Sequence, residues 1–186
     1  MSFHNQTILP AIRSMKDFDK MLETSYQYGI FLDLHIGLLK GAFQYAKEQN
    51  RKMFLHIDLI QGLRSDEYAT DFVCQELRPY GIISTKSSVI KRARKKGVLA
   101  TQRTFIIDSS ALNRSVELIK SNDPDFIEVL PGVVPKIITH LHQQTGKPIF
   151  AGGLIQTKDE VEAAIDAGAV AITTSNPELW KVYEGN

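Results

Sequence analysis

Eight short apolar runs, separated by longer amphipathic segments, constrain the fold of this chain more than any other feature. Each run has the length of a β-strand and is rich in Ile, Leu, Val or Phe, as is typical of strands buried on both faces of a parallel sheet. The intervening segments are long enough for crossover helices, and eight such β/α units predict closure into a barrel. The runs span residues 6–12, 29–34, 53–59, 81–85, 99–107, 126–131, 148–155 and 170–175.

Helix-boundary signals agree with this alternation. Thr157 followed by Glu160 predicts a capping box, and Pro135 stands where a first helical turn begins. Four glycines precede strands where a left-handed helix cap is expected: Gly29, Gly97, Gly146 and Gly168. We therefore predict a single α/β domain, a compact (β/α)8 TIM-type barrel over residues 1–186. The alternative is an open doubly wound sheet, which eight strands and a first strand without a glycine fingerprint disfavour.

Composition narrows the cellular setting. The 186 residues are 43% apolar and 23% charged, which excludes a disordered chain. Cys74 is the one cysteine, so no intramolecular disulfide forms and a reducing cytoplasm is expected. The amino terminus does not resemble a signal peptide, and no apolar stretch approaches the ~18 residues of a membrane span. With a net charge of +1, any nucleic-acid binding must come from a local basic patch.

Polar residues follow several predicted strands, at the end where barrels of this type carry their functional groups. They form a charged rim whose basic members are suited to an anion. An alternative is that some of these charges pair with each other across the barrel mouth. The rim residues are Arg13, Asp33, His35, Asp58, Lys86, Arg103, Glu128, Gly152, Gly153, Thr173, Thr174 and Ser175.

The loops after strands seven and eight predict a phosphate site. AGGLI at 151–155 follows strand seven, and TTSN at 173–176 follows strand eight, just before a short helix. Glycine allows close approach of backbone amides to a phosphate, and hydroxyls and a helix amino terminus add donors. Phosphate commonly binds at these two loops in this fold, although purely structural turns remain an alternative.

Other chemically suggestive residues predict no metal or cofactor. His140 and His142 lie two apart on a predicted helix and therefore point to different faces. His56 lies inside an apolar strand, where we expect a hydrogen-bonded core residue. Cys74 lies in a helical segment without an activating base, which favours a buried, unreactive thiol.

A basic segment follows strand four. From Lys86 to Arg103 the chain has seven Lys or Arg and no Asp or Glu. On a helix, Val89, Ile90 and Ala93 form an apolar arc, and the opposite arc is basic. A face without acidic partners repels itself and would favour a polyanion such as RNA, although a solvated helix face is the alternative. The basic residues of this arc are Lys91, Arg92, Arg94, Lys95 and Lys96.

Motifs along nearly the whole chain resemble the glycerol-3-phosphate-responsive antiterminator family. The most specific are HIDLIQGL at 56–63, GIISTK at 81–86 and IEVLPG at 127–132, in the family's order. The remaining matches are ILPAIR at 8–13, QRTFIIDSSAL at 102–112, AGGLI at 151–155 and TTSNPELW at 173–180. The resemblance implies a bacterial regulator that binds glycerol 3-phosphate and acts on leader mRNA, preventing transcription termination in glycerol uptake and utilisation operons.

The resemblance and the strand-end pattern together suggest roles for individual residues. We expect the phosphate at Gly152, Gly153, Thr174 and Ser175, with Arg103 or Lys86 as its counter-charge. Asp58 and Glu128 would accept hydrogen bonds from the glycerol hydroxyls, and Arg13 could serve either end. RNA would contact the five basic residues of the arc. Two alternatives remain. One is an isomerase or lyase that acts on a phosphorylated triose or sugar through Asp58, Lys86 and Glu128. The other is a sensor that acts through a protein partner.

Overall fold

The computed structural model describes Phe3 and residues 6–185, and its strands form the closed parallel barrel that the sequence predicts. Because β1 pairs with β8, the open-sheet alternative is excluded. The strands are β1 (Ile8–Ile12), β2 (Tyr28–Phe31), β3 (Lys52–His56), β4 (Gly81–Ser84), β5 (Leu99–Phe105), β6 (Phe126–Leu130), β7 (Ile149–Gly152) and β8 (Ala169–Thr174). The helices are α1 (Met15–Leu22), α2 (Ile36–Glu48), α3 (Glu67–Phe72), α4 (Ser87–Lys95), α5 (Ser109–Asn122), α6 (Pro135–Thr145), α7 (Lys158–Asp166) and α8 (Pro177–Val182).

Successive strand residues contribute to two separate apolar layers, as the twofold period of a strand requires. The outer layer lies between the sheet and the helices. The inner layer fills the barrel and is rich in aromatic rings, among them Phe126 and Phe150, which stack 4.8 Å apart. Phe3 packs against both rings, with centroids 5.5 Å away. The interior of the barrel is therefore a filled core.

The helix boundaries largely follow the sequence signals. The capping box of Thr157 and Glu160 is present, and Pro135 is the first residue of α6. Three of the four predicted cap glycines have left-handed backbone: Gly97, Gly146 and Gly168. The prediction for Gly29 was wrong, because Gly29 lies within β2. A β-carbon there would lie 2.8 Å from the sulfur of Met21, so this glycine lets α1 pack closely on the strand.

The connection between α3 and β4 is irregular. Helix α3 continues into a π-helical turn, Val73–Leu77, which ends at Arg78 in left-handed conformation with φ 49°. The Arg78 N–H donates to the Val73 carbonyl at 3.1 Å. Cys74 lies half-buried in this turn, and burial raises the pKa of its thiol to about 11. Within the described part of the chain, no helix is long and apolar enough to cross a membrane.

Candidate functional site

A cavity of about 560 Å³ opens at the carboxyl ends of the strands. It lies mainly between β1 and β5–β8, the side of the barrel where the predicted phosphate loops meet. The structure brings together six of the nine predicted ligand-binding residues in its lining: Arg13, Arg103, Glu128, Gly153, Thr174 and Ser175. The cavity is therefore the candidate site.

Arg103 and Glu128 form an ion pair in this lining. They are direct neighbours across β5 and β6, and Arg103 Nε lies 3.2 Å from Glu128 Oε2. Their side chains are only 13% and 3% exposed, so the pair is shielded from water. The N–H is not directed at the carboxylate, however, and neither Nε nor Oε2 has a hydrogen-bond partner within the described residues. Both atoms are buried and keep unused hydrogen-bonding capacity, and the two residues that carry them line the cavity.

Thr173 and Gly152 hold the glutamate in place. The Thr173 hydroxyl donates to Glu128 Oε1 at 2.7 Å. A β-carbon on Gly152 would lie 2.2 Å from that hydroxyl oxygen, so only glycine fits beside it. Gly152 was predicted to touch the phosphate, but it is absent from the lining formed by the described chain. It makes room for the Thr173–Glu128 hydrogen bond.

Backbone amides supply hydrogen-bond donors in the loops that follow β7 and β8. Gly153 and Leu154 are consecutive left-handed residues, with φ 73° and 62°. Their N–H groups, and that of Ser175, donate no hydrogen bond to any residue that the structure describes. Leu154 adopts this conformation without the freedom of glycine, and such strained residues cluster at ligand sites. Unpaired amides beside a cavity are suited to binding an anion.

The amino terminus of α8 contributes fewer donors than the sequence suggested. The helix has six residues and starts with Pro177, which has no N–H. The Asn176 side chain already accepts from Glu178 N at 3.0 Å. Trp180 anchors the helix, since its indole N–H donates to the Thr174 carbonyl at 2.9 Å. The predicted helix-terminus donors are thus largely used within the protein, and the cavity lining of the described chain ends at Asn176, before α8 begins.

Charge pairing among the rim residues, which the alternative explanation anticipated, occurs between Arg103 and Glu128 and also between Arg13 and Asp33. Arg13 Nη1 lies 2.7 Å from Asp33 Oδ2, and the Arg13 side chain is 58% exposed. His35 caps α2 by accepting from Gly37 N at 3.0 Å. Arg13 lines the cavity from its outer edge, whereas His35 serves the helix.

Asp58 and Lys86 do not join the cavity lining in the described structure. Asp58 accepts three hydrogen bonds: from the Ser84 hydroxyl at 2.6 Å, and from the Thr85 amide and hydroxyl at 2.7 Å each. Burial opposes ionisation of Asp58, but these hydrogen bonds outweigh it and lower its pKa. Lys86 Nζ donates to the Ser65 carbonyl at 3.0 Å. Both side chains hold loops together at the β3–β4 side of the mouth.

His56 is buried, as predicted, but the expectation that it would be hydrogen-bonded was wrong. It is 2% exposed, and neither ring nitrogen has a partner among the described residues. Burial, followed by the charge of Arg103, lowers the pKa of His56 to about 4, so the ring is neutral at pH 7. The sequence predicted the burial of His56 but not the nearby cation, because Arg103 lies on a different strand.

Two polar lining residues were given no ligand role from the sequence. Gln156 and Asn176 reach the cavity from the loops after β7 and β8. The sequence did offer a signal, since Gln156 directly follows AGGLI and Asn176 is the last residue of the TTSN segment that predicted the site. The prediction stopped at the glycines and hydroxyls, although amide side chains are equally good hydrogen-bonding groups.

The basic segment does form a helix, α4, with Val89, Ile90 and Ala93 buried. The expectation that this face lacks acidic partners was wrong, because carboxylates from neighbouring elements reach it. Arg92 forms a bidentate pair with Asp71, and Lys96 lies 3.3 Å from the same carboxylate. Arg94 pairs with Asp123 at 3.2 Å and Asp125 at 3.4 Å. Of the five basic residues, Lys91 and Lys95 alone lack an ion pair with any carboxylate of the described chain.

The fold and the site together define a small (β/α)8-barrel protein with a cavity, lined in part by charged residues, at the carboxyl ends of its strands. Over residues 8–180 the chain matches the family described as glycerol-3-phosphate responsive antiterminator. Because this match covers most of the chain, the protein belongs to that family, which is a family of glycerol uptake operon antiterminator-type regulators.

Two solved structures with antiterminator names support this family assignment, and a curated relative matches over nearly the same length. The chain is similar to the glycerol uptake operon antiterminator regulatory protein of Listeria monocytogenes, with 45% identity, a TM-score of 0.95, and coverage of 97% of this chain and 98% of that chain. The antiterminator-related protein of Thermotoga maritima shares 30% identity, with a TM-score of 0.84 and coverage of 95% and 98%. Escherichia coli YgcP, described as uncharacterized, is 30% identical over 173 residues, which is 93% of this chain and 91% of that protein.

Proposed function

We propose that the protein binds glycerol 3-phosphate in the cavity and, in this state, acts on leader mRNA so that transcription of glycerol uptake and utilisation genes continues past a terminator. The observation that carries the proposal is the buried Arg103–Glu128 pair, whose Nε and Oε2 atoms lack hydrogen-bond partners in the described structure. A hydroxyl both donates and accepts, so a glycerol hydroxyl that reaches this buried pair would satisfy both atoms.

The phosphate fits the loops that follow β7 and β8. The N–H groups of Gly153, Leu154 and Ser175 are available as donors, and the Thr174 hydroxyl lies beside them in the lining. The Thr174 oxygen accepts from Asn176 N at 3.1 Å, which leaves its hydrogen to donate to a phosphate oxygen. The described lining carries two guanidinium groups, those of Arg13 and Arg103, against one carboxylate, that of Glu128, although each arginine also has a carboxylate partner. The ligand is thus read at both ends, by a carboxylate for its hydroxyls and by amides for its phosphate.

The arrangement favours a regulator over the isomerase or lyase alternative. That alternative relied on Asp58, Lys86 and Glu128 meeting around one substrate, but only Glu128 lines the cavity. The lining formed by the described residues contains no lysine, which a Schiff-base mechanism requires. The potential acid and base are therefore not within reach of one ligand.

Calorimetric titration with glycerol 3-phosphate tests the first half of the proposal, with glycerol and inorganic phosphate as controls. We expect saturable binding of glycerol 3-phosphate that is tighter than binding of either fragment. Transcription in vitro from a template with the glycerol-operon leader tests the second half, and we expect read-through to rise only with protein and glycerol 3-phosphate together. Folded protein that binds no small phosphate contradicts the effector assignment, and binding without read-through favours a sensor acting through a protein partner.

A further inference from the structure

A second concave surface lies at the other end of the barrel, between α2, the π-helical turn and the first residues of β3. This amino-end groove has a volume of about 690 Å³. Its described lining contains five cationic side chains and one carboxylate, that of Glu76. The cations are Lys40, Lys47, Arg51, Lys52 and Arg78. No sequence motif singled out this surface, because its basic residues come from three separate parts of the chain.

The cations of the groove are not neutralised. No ion pair joins any of the five to a carboxylate within Phe3 and residues 6–185. Helix α4 differs, because three of its five basic side chains pair with Asp71, Asp123 or Asp125. Unpaired like charges lining one surface create a positive potential that attracts a polyanion. By this measure the amino-end groove is the stronger anion-binding surface of the two.

Neutral groups hold several of these cations in position. Arg51 Nη2 donates to the carbonyls of Leu22 at 3.3 Å and Thr24 at 2.9 Å. Lys52 Nζ lies 5.3 Å from the ring centre of Tyr28 and 5.6 Å from that of Tyr80. Carbonyls and aromatic rings orient a cation without cancelling its net charge. The groove is thus partly pre-organised, which lowers the ordering cost of binding.

The backbone at the groove is unusual as well. Asn50 and Arg78 both line it, and both are non-glycine residues in left-handed conformation, with φ 55° and 49°. The wall that ends at Arg78 is the π-helical turn, a rare element that is frequent at functional sites. Each of these conformations costs energy that the surrounding fold must offset. Of the four non-glycine residues with this conformation in the described chain, two lie at this groove.

The dimensions fit an extended polyanion better than a single phosphate. Lys40 and Lys47 are seven residues apart on α2, which corresponds to about 10 Å along the helix axis.

We propose that the amino-end groove, and not α4, binds the phosphate backbone of the leader RNA. This inference takes the identity of the polyanion from the proposed function and adds the surface of the protein to which the RNA binds. Effector and RNA then bind at opposite ends of the barrel, so their coupling passes through the fold.

Three matched charge-reversal variants of the whole protein test this location. Lys47→Glu with Arg78→Glu alters the groove, and Lys91→Glu with Lys95→Glu alters the two unpaired cations of α4. Lys120→Glu with Lys136→Glu, on the exposed faces of α5 and α6, gives the same charge change elsewhere. Binding to the glycerol-operon leader transcript is measured with glycerol 3-phosphate over 50–200 mM salt. Circular dichroism and titration with glycerol 3-phosphate confirm that each variant folds and keeps its cavity.

We expect the groove variant alone to lose at least about tenfold in RNA affinity at the lowest salt. Each lost phosphate contact reduces the slope of log K against log salt by about 0.7 on single-stranded RNA, so the slope should fall by roughly 1.4. Equal RNA binding by wild type and groove variant, or a larger loss in the α4 variant, overturns the location and leaves the proposed function standing. Failure of wild-type protein to bind the transcript in the presence of glycerol 3-phosphate overturns both.

Discussion

Glu128→Gln tests whether the buried Arg103 depends on the charge of Glu128 for the stability of the folded protein. Glutamine can keep the hydrogen bond from Thr173, whose hydroxyl lies 2.7 Å from Oε1, but it removes the charge facing Arg103. Loss of one partner from a buried ion pair lowers the free energy of unfolding by about 3–5 kcal/mol. We use the lower value because Arg103 borders the cavity, where solvent can partly compensate its charge. In a domain of this size about 3 kcal/mol lowers the melting temperature by about 6–12 °C.

Thermal unfolding followed by circular dichroism measures this effect. Glu178→Gln is the matched control, since Glu178 pairs with Lys181 on the surface, where both side chains are at least 70% exposed. The control should change stability by less than about 0.5 kcal/mol. A melting temperature of Glu128→Gln within about 2 °C of wild type would refute the reasoning, because Arg103 would then not depend on Glu128 for its counter-charge.

The same variant separates the two ends of the proposed ligand. A hydrogen bond to a charged group contributes about 1.5–3 kcal/mol, so Glu128→Gln should weaken glycerol 3-phosphate binding by roughly 10- to 100-fold. Inorganic phosphate has no hydroxyl-bearing carbon chain, and its affinity should not fall. An equal loss for both ligands in calorimetry would show that Glu128 does not read the glycerol end.

Three further predictions concern other parts of the chain. Gly153→Ala places a β-carbon 3.0 Å from Leu130 on left-handed backbone and should reduce both stability, by about 1–2 kcal/mol, and glycerol 3-phosphate affinity. Gly146→Ala is the matched control, because Gly146 has φ 66° but no atom near the position of a β-carbon. It should lose stability in thermal unfolding but bind glycerol 3-phosphate normally in calorimetry. Hydrogen bonds from Arg92 lower the pKa of Asp71 from 3.8 to about 2, so its stabilisation is complete above pH 4 and is lost as pH falls toward 2. The stability advantage of wild type over Asp71→Asn should shrink over that interval, and a constant difference in urea titrations would contradict the assignment. With a thiol pKa of about 11, Cys74 should react with a thiol reagent at pH 8 roughly 100-fold more slowly in folded than in urea-unfolded protein, and equal rates would argue against burial.

The sequence predicted much of the fold because the fold depends on local patterns. Strand-length apolar runs, the Thr157 capping box and Pro135 each act within a few residues, so they can be recognised without knowing what packs against them. Gly29 was misplaced for the opposite reason, since its role depends on contact with Met21 and Met53. A helix cap and a close-packed strand glycine look the same in a single sequence.

The candidate site was predicted only in part. The strand ends located Arg103, Glu128, Gly153 and the residues after β8, because the carboxyl ends of parallel strands all meet at one face. The pattern could not distinguish which strand-end groups already had partners. Asp58 is occupied by Ser84 and Thr85, which belong to the next strand and its loop. Hydrogen-bond saturation depends on neighbours in space, and those neighbours lie far apart in sequence.

By itself, the sequence determined a closed (β/α)8 barrel, the face that carries its site and, through its motifs, the family. The tertiary structure decided which charges are free. The densest basic run, on α4, is largely neutralised by carboxylates of α3 and the α5–β6 connection, whereas the amino-end groove is built from residues that no motif connects. The physical reason is that hydrophobic periodicity is a local property of the chain, but electrostatic pairing depends on distances that exist only after the chain has folded.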